Sequence, residues 1–297
     1  MKGGFTVIGV PVDSAGHAGG TELAPAAFRA LGLRDAIGGR DGGDLAVRIR
    51  AEGRDPETGV VGLDDVCTTT ATVRSVVAET LSRAERPFLV GGCCAIVPGA
   101  LAGVRDARGR VSLAHLDGHL DLYDQATSPL GEAADMPVTV AIGLGPRAWV
   151  DAAGGPSLSG ADVRIVGYRD REQSLIDGML MPEDLDPPIA CLTTDEVRSE
   201  GPGQVGARVA QALASGAGNI WAHLDLDIVD PSLFFANDAP MPDGLDWAEL
   251  TELLAAILAS SALAGVSLGC YNPEKDRNQE NGRQIIEVLR KALAVPG

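Results

Sequence analysis

The sequence predicts an α/β fold of three layers, α/β/α, around a mostly parallel central sheet. Three observations carry that expectation. Short apolar runs recur along the chain, and such runs suit strands buried on both faces of a parallel sheet. Stretches of helical periodicity lie between them, and strands alternating with helices imply parallel crossover units. Two acidic stretches sit at the ends of apolar runs, which is where open α/β sheets bind their ligands. The 297 residues read as a single domain, 1–297, with no internal repeat and no linker long enough to divide it.

Taken in order, strands are expected at 5–10, 88–90, 111–116, 163–166, 220–226 and 265–271. Helical patterns cover 25–33, 70–85, 205–214, 247–260 and 283–295. Asp246 with Glu249 marks a helix start, an N-cap with its reciprocal acid three residues on. The Gly- and Pro-rich segments 38–43, 154–160 and 181–188 read as loops.

Composition narrows the function. The formal net charge of −17, from 41 acidic against 24 basic side chains, argues against nucleic acid or an anionic membrane as partner. There is no 18-residue apolar run, hence no expected membrane span. The opening residues read as a first strand rather than a secretion signal. Five scattered cysteines, with Cys93 and Cys94 adjacent, do not form a disulfide framework and point to a reducing cytoplasm. A small-molecule substrate is the expected partner.

The chemistry concentrates in two stretches. Ala114-His-Leu-Asp-Gly-His-Leu-Asp121 spaces Asp117, His119 and Asp121 by two, so an extended strand would turn all three to one face. Trp221-Ala-His-Leu-Asp-Leu-Asp-Ile-Val-Asp-Pro231 does the same for Asp225 and Asp227. Side by side, the two stretches offer five ligands, four of them carboxylates. One cation needs fewer, which suggests two divalent cations sharing bridging carboxylates. Chance placement is the bland alternative, but burying so many carboxylates without a cation is costly.

Together these stretches resemble the paired metal motifs of the arginase/agmatinase (ureohydrolase) family. Other segments extend the resemblance over most of the chain: Gly9-Val-Pro11 with Gly19-Gly20 and Pro25, Val90-Gly-Gly-Cys-Cys94, Gly167-Tyr-Arg-Asp170, Ala239-Pro-Met-Pro-Asp-Gly-Leu245 and Tyr271-Asn-Pro273. The resemblance implies a dinuclear centre, manganese in the family, in which Asp117 and Asp225 bridge. Cys94 and Asp121 complete one position; His119 and Asp227 complete the other. It implies hydrolysis of a C–N bond in a linear amidine or guanidine, with Asp121 hydrogen-bonded to the attacking hydroxide. Family members often form homo-oligomers, and no sequence feature here decides that.

Three departures bear on the reading. Cys94 stands where the family has a histidine ligand. A thiolate there brings zinc in beside manganese; otherwise Cys94 is a small buried residue after a Gly-Gly turn. Ala134 stands where the family has its proton-shuttling histidine. Glu132 and Asp135 flank it and are candidates for acid work, for holding a cationic substrate end, or for capping the next element. Cys270 stands where the family has the glutamate that grips a guanidinium, and a neutral thiol cannot make that bidentate charge-assisted pair. Arginine and agmatine are therefore disfavoured as substrates. A single-zinc amide hydrolase and a catalytically silent ligand-binding member are the alternatives.

The remaining candidates are weaker. His17 lies in a Gly-rich loop near the expected site mouth, as a substrate contact or a loop hydrogen bond. Glu172 aligns near the family's substrate amino-group contact, or is an ordinary exposed acid. His115 and His223, each two residues before a motif aspartate, read as core or supporting histidines. Asp230 reads as a strand end and loop brace.

Overall fold

A computed structural model describes residues 4–15, 19–50 and 53–294. Its eight strands are β1 (Phe5–Val10), β2 (Arg40–Asp44), β3 (Arg86–Gly91), β4 (Ser112–Leu116), β5 (Val163–Tyr168), β6 (Ala190–Thr193), β7 (Ile220–Asp225) and β8 (Leu263–Gly269). All pair in parallel in one sheet of order β2-β1-β3-β8-β7-β4-β5-β6. The helices are α1 (Ala24–Ala30), α2 (Leu33–Ala36), α3 (Leu63–Ser82), α4 (Val97–Arg108), α5 (Pro137–Ala141), α6 (Arg147–Ala152), α7 (Arg171–Asp177), α8 (Thr194–Glu200), α9 (Pro202–Gly216), α10 (Trp247–Leu258) and α11 (Glu280–Ala294).

The strands that read as continuous apolar runs are those buried on both faces. β1, β4, β7 and β8 are buried throughout, as parallel strands covered by helices must be. Their side chains feed two separate cores. Phe5, Val7, Leu116 and Leu224 pack with residues of α1, α9, α10 and α11. Ile8, Val10, Leu113 and Trp221 pack with residues of α3, α4 and α6. Truncating a large member of either core, such as Leu101 or Leu253, costs about 2–5 kcal/mol. α3 and α4 approach so closely that a Cβ on Gly99 would stand 2.6 Å from the Thr70 carbonyl oxygen. No helix among the described residues is long and apolar enough to cross a membrane.

The structure corrects several expectations. The segment 38–43 is not simply a loop, because it enters β2, which pairs with β1 through Thr6 and Arg40. This edge strand is exposed along its whole length, so it carries no apolar pattern and is held by its backbone. β6, the other edge, is short and at best half-buried. The 25–33 helix breaks in two at Gly32, whose φ of +84° ends α1 and starts α2. α3 begins seven residues before the expected 70: its first turns bury Leu63 and Val66, but the buried stripe continues through Thr69 and Thr70, which weakens the apolar signal. α4, α5, α6, α7 and α8 carry no expectation above. The Asp246–Glu249 capping box is present at the start of α10.

The sheet order decides where the chemistry gathers. Between β3 and β4 the chain crosses over β8 and β7, so the carboxyl ends of β3, β8, β7 and β4 lie next to one another at the sheet's centre. Such a switch in strand order opens a crevice above the strand tips.

Candidate metal centre

The tips of β3, β7 and β4 deliver candidate ligands, and the tip of β8 brings Cys270 to the same cavity. β3 runs through Gly92 and Cys93 into a 3₁₀ turn that starts at Cys94. A Cβ on Gly92 would meet the Val12 carbonyl oxygen at 1.5 Å, so only glycine lets the β1 and β3 tips close there. The Gly92 carbonyl accepts from the Cys270 amide at 2.8 Å, which ties the end of β8 to the end of β3. Cys270 itself has φ +63°, and Asp121 has φ +53°. Both are left-handed conformations that non-glycine residues enter only when the surroundings hold them there, commonly at functional sites.

The spacing-by-two argument is right in its outcome and wrong in its reason. β4 ends at Leu116 and β7 at Asp225, so neither motif continues as an extended strand. Turns make the convergence. The His119 amide donates to Asp117 Oδ1 at 2.7 Å, the Gly118 amide to Asp227 Oδ1 at 2.8 Å, and the Asp227 amide to Asp225 Oδ1 at 2.8 Å. Asp170 Oδ2 accepts from the Leu120 amide at 3.1 Å. Arg169 braces the outside, donating to the carbonyls of Gly167 (2.7 Å), Asp227 (2.7 Å) and Pro242 (2.8 Å).

Three sets of ligand atoms result, each within 4.8 Å of one another: Cys94, Asp117, His223 and Asp225; His115, Asp117 and Asp121; and Asp117, His119 and Asp227. Asp117 belongs to all three. Six of the sequence-derived ligands are therefore brought together, and they line one cavity of about 130 Å³ with Tyr123, Glu132, Ala134, Asp135, Ala239 and Cys270. A larger cavity of about 580 Å³, beside Arg50, Arg54, Asp64 and Asp65, has no comparable set of converging ligands among the described residues. Chemistry rather than size marks the site.

The electrostatics fit a cation. Asp117 Oδ2 and Asp121 Oδ2 are buried without a hydrogen-bond partner. His115 Nε2 lies 3.0 Å from the first and 3.2 Å from the second, at angles that make no hydrogen bond. Burial opposes charge on His115, yet the two aspartates outweigh it and push its pKa up to about 10. Burial also opposes charge on Asp117, but His115 and His119 pull it well below the usual carboxylate range. Burial and the Asp117 charge push Asp121 up to about 8. Burial with Asp227 and Asp117 holds Asp225 well above its ordinary value. His119 Nδ1 stands 2.8 Å from Asp227 Oδ2. The Cys94 thiol donates to Asp225 Oδ2 at 2.7 Å. Shared protons and histidine charge thus offset the buried carboxylates.

The profile of the arginase family matches residues 4–294. The chain belongs to the arginase family. It is 24% identical over 298 residues to the arginase of Brevibacillus brevis, covering 97% of each chain. Among solved structures it resembles the arginase from Bacillus caldovelox with a TM-score of 0.87, at 22% identity and 99% coverage of both chains. It also resembles formimidoylglutamase from Bacillus subtilis subsp. subtilis str. 168, with a TM-score of 0.73 at 18% identity, covering 98% of this chain and 86% of that one.

Within this arginase-family fold the remaining candidates divide. Glu132 and Asp135 flank Ala134 at the cavity wall, where Ser14 Oγ donates to Glu132 Oε2 at 3.4 Å and Ser128 Oγ to Asp135 Oδ2 at 2.8 Å. Burial raises the Asp135 pKa. Cys270 lies on the cavity wall, with its sulfur 3.7 Å from that of Cys94. Glu172 is exposed on α7 and is not among the residues lining the cavity. His17 lies outside the described residues. Cys93 is buried, its thiol pushed up to about 12 by burial, and it is in none of the ligand sets. Asp230 braces its loop, accepting from Ser232 and Gly244. Two residues read above as core or supporting histidines prove to be ligand-capable: His115 and His223. Their signal was the same step of two that links each to its motif aspartate.

Proposed function

We propose that this chain is a metal-dependent hydrolase that cleaves a C–N bond in a linear amidine, guanidine or related small molecule, and that neither arginine nor agmatine is its substrate. One observation carries the reading: Asp117 is common to every ligand set at the floor of a cavity above the central strand tips. The residues fit a pair of divalent cations. Two buried carboxylate oxygens lack partners, and carboxylate, imidazole and thiol donors surround them, a set whose burial a cation would offset. Asp117, His119 and Asp227 would hold one cation. Asp117, Cys94 and Asp225 would hold the other, with Asp121 beside both. When bound, such cations supply Lewis acidity and bring the pKa of a water toward neutrality.

The chain's own groups supply the rest. Asp121 Oδ2, buried and accepting no hydrogen bond, is placed to take a proton from the attacking water once bound cations have favoured its ionised form. Asp135, whose pKa burial raises, keeps its proton to a higher pH than an ordinary carboxylic acid and is placed to give it to the leaving nitrogen. It thereby takes the part that Ala134 cannot. Glu132 adds a carboxyl to the same wall, and its ionised form would favour a cationic amidine carbon. Cys270 offers no carboxylate to clamp a guanidinium, so a substrate gripped through its other end, or one with a better leaving group, is preferred.

The test is a panel of arginine, agmatine, N-hydroxyguanidines, formimidoyl amines and acylated amines. Each is incubated with protein reconstituted with manganese or with zinc, and urea, ammonia and amine release are measured. Turnover of an amidine or hydroxyguanidine at least tenfold above arginine and agmatine is expected. Arginine as best substrate, or no turnover of any member by fully metal-loaded protein, would sink the proposal.

A further inference from the structure

We propose that the centre is chemically split, and that its β3–β8–β7 side is a thiophilic site in which His223 and Cys270 join Cys94 and Asp225 to hold zinc. The inference rests on the metal-centre reading above and adds two ligands and a metal preference to it.

The argument starts with the sheet. β3, β8 and β7 are consecutive neighbours, and their ends carry Cys94, Cys270 and the His223–Asp225 pair. Cys94 Sγ is the hub: 2.7 Å from Asp225 Oδ2, 3.2 Å from His223 Nε2 and 3.7 Å from Cys270 Sγ. Two zinc–thiolate bonds of about 2.3 Å at a tetrahedral angle put their sulfurs about 3.8 Å apart, which is the spacing seen. The opposite side of the centre, Asp117, His119 and Asp227, has two carboxylates, one imidazole and no sulfur. Thiolates select zinc and other soft cations, whereas carboxylates suit manganese and magnesium.

His223 is prepared for ligation. It is fully buried, and its Nδ1 lies 2.7 Å from Ser267 Oγ. That oxygen also accepts from Trp221 Nε1 at 2.9 Å and has a second lone pair for an Nδ1–H. In the tautomer that carries its proton on Nδ1, the Nε2 lone pair faces Cys94, 3.2 Å away. A ligating histidine orients itself in just this way, by donating its other nitrogen to a fixed acceptor. Cys94 has one thiol proton, which it donates to Asp225, and its sulfur then faces the imidazole nitrogen and a second sulfur. A cation among Cys94, His223 and Asp225, which lie in one ligand set, would replace the shared proton, and Cys270 would reach it from the Cys94 side, where the two sulfurs are 3.7 Å apart. Asp117 belongs to the same ligand set and joins this side to the other.

The experiment reads the ligands directly. Reduced metal-free protein is titrated with Co²⁺ as a visible stand-in for zinc, and zinc affinity is measured against a chromophoric chelator. A sulfur-to-cobalt charge-transfer band is expected, at about half strength in Cys270→Ser and absent in Cys94→Ser. His223→Gln should weaken zinc binding at least tenfold, and Ser267→Ala by a smaller factor. Manganese binding by His223→Gln, followed by electron paramagnetic resonance, should stay within threefold of wild type. Absence of the band, an unchanged band in Cys270→Ser, or zinc affinity within threefold of wild type in His223→Gln each overturns the assignment. Should Cys94→Ser not fold, X-ray absorption at the zinc edge of the wild-type protein decides: a sulfur shell supports the site, and an all-oxygen and nitrogen shell overturns it. A thiolate band without hydrolysis defeats only the hydrolase reading, and hydrolysis without the band defeats only this one.

Discussion

The floor and the wall of the cavity are held in different ways. On the floor, one oxygen each of Asp117, Asp225 and Asp227 receives a backbone amide, from His119, Asp227 and Gly118. On the wall, Glu132 and Asp135 are oriented by the hydroxyls of Ser14 and Ser128. Main-chain donors are present whatever the side chains, so a floor built on them keeps its geometry as the sequence drifts. A wall built from side-chain pairs is rewritten one residue at a time. The chain shows both outcomes: its aspartate ligands match the family pattern, and the wall positions Ala134 and Cys270 do not. Under the proposed function, metal capture belongs to the floor and substrate choice to the wall around Ala134, with Cys270 standing where the two meet.

The harshest way to break that comparison is at the floor's shared residue. Asp117→Ala removes a member of all three ligand sets. Metal content by elemental analysis should fall by at least one ion per chain, and activity toward the best substrate by about 10³-fold or more. Full metal content in this variant would refute bridging by Asp117.

The wall should fail differently. Asp135→Asn keeps the shape and removes the ionisable proton. A general acid is worth about 10²–10⁴-fold, so kcat should drop by about 10²-fold or more while metal content stays unchanged. In the wild type, kcat should fall as pH rises through the raised Asp135 pKa, because the acid is then lost. The variant should lack that limb. An unaltered pH profile in Asp135→Asn would assign the proton to another group, with Glu132 the next to test.

The floor is also expected to be uncomfortable when empty of metal. His115 binds its proton more tightly in the fold, to about 10 against an ordinary 6.5. The stability this brings is complete below pH 6.5 and fades as pH climbs toward about 10. Asp121, raised from 3.8 to about 8, is neutral in the fold over that range, and its cost grows until pH passes about 8. Both effects lower stability between pH 6.5 and 8. In chelator, the melting temperature should fall on the order of 5 °C from pH 6.5 to 10, and His115→Gln should flatten the slope. Calorimetry across that range checks it; a flat wild-type profile would contradict the charge assignment.

The same contrast explains what could be read from the sequence. Central strands were legible because burial on both faces writes a continuous apolar run. β2, with its Arg-Asp-Gly-Gly-Asp sequence exposed throughout, was not, since backbone pairing leaves no mark on side-chain chemistry. Asp117, His119, Asp121, Asp225 and Asp227 were legible as a ligand set through their spacing, though turns rather than extended strands bring them together. His115 and His223 share that spacing, but a strand buried on both sides gives a histidine either a packing or a ligating role, and only the positions of Cys94 and Asp121 separate the two. The proximity of Cys94 and Cys270 depends on β3 and β8 being neighbours, and no local pattern encodes that pairing. Glu172, drawn in by alignment alone, is exposed and is not among the residues lining the cavity.

The finest test is at the wall's own support. Ser128 Oγ donates to Asp135 Oδ2 at 2.8 Å and accepts from the Gly131 amide at 2.8 Å. Its hydroxyl stabilises the ionised carboxylate, partly offsetting the rise that burial imposes. Ser128→Ala should therefore move the Asp135 pKa further up, by less than about one unit, since one unit is about 1.4 kcal/mol and a single such hydrogen bond contributes about 1 kcal/mol. The alkaline limb of kcat should shift to higher pH by that amount, with metal content unchanged and stability reduced by about 1 kcal/mol. A shift to lower pH would mean that the limb reports a group that Ser128 does not touch. The wall would then have to be credited with a different acid.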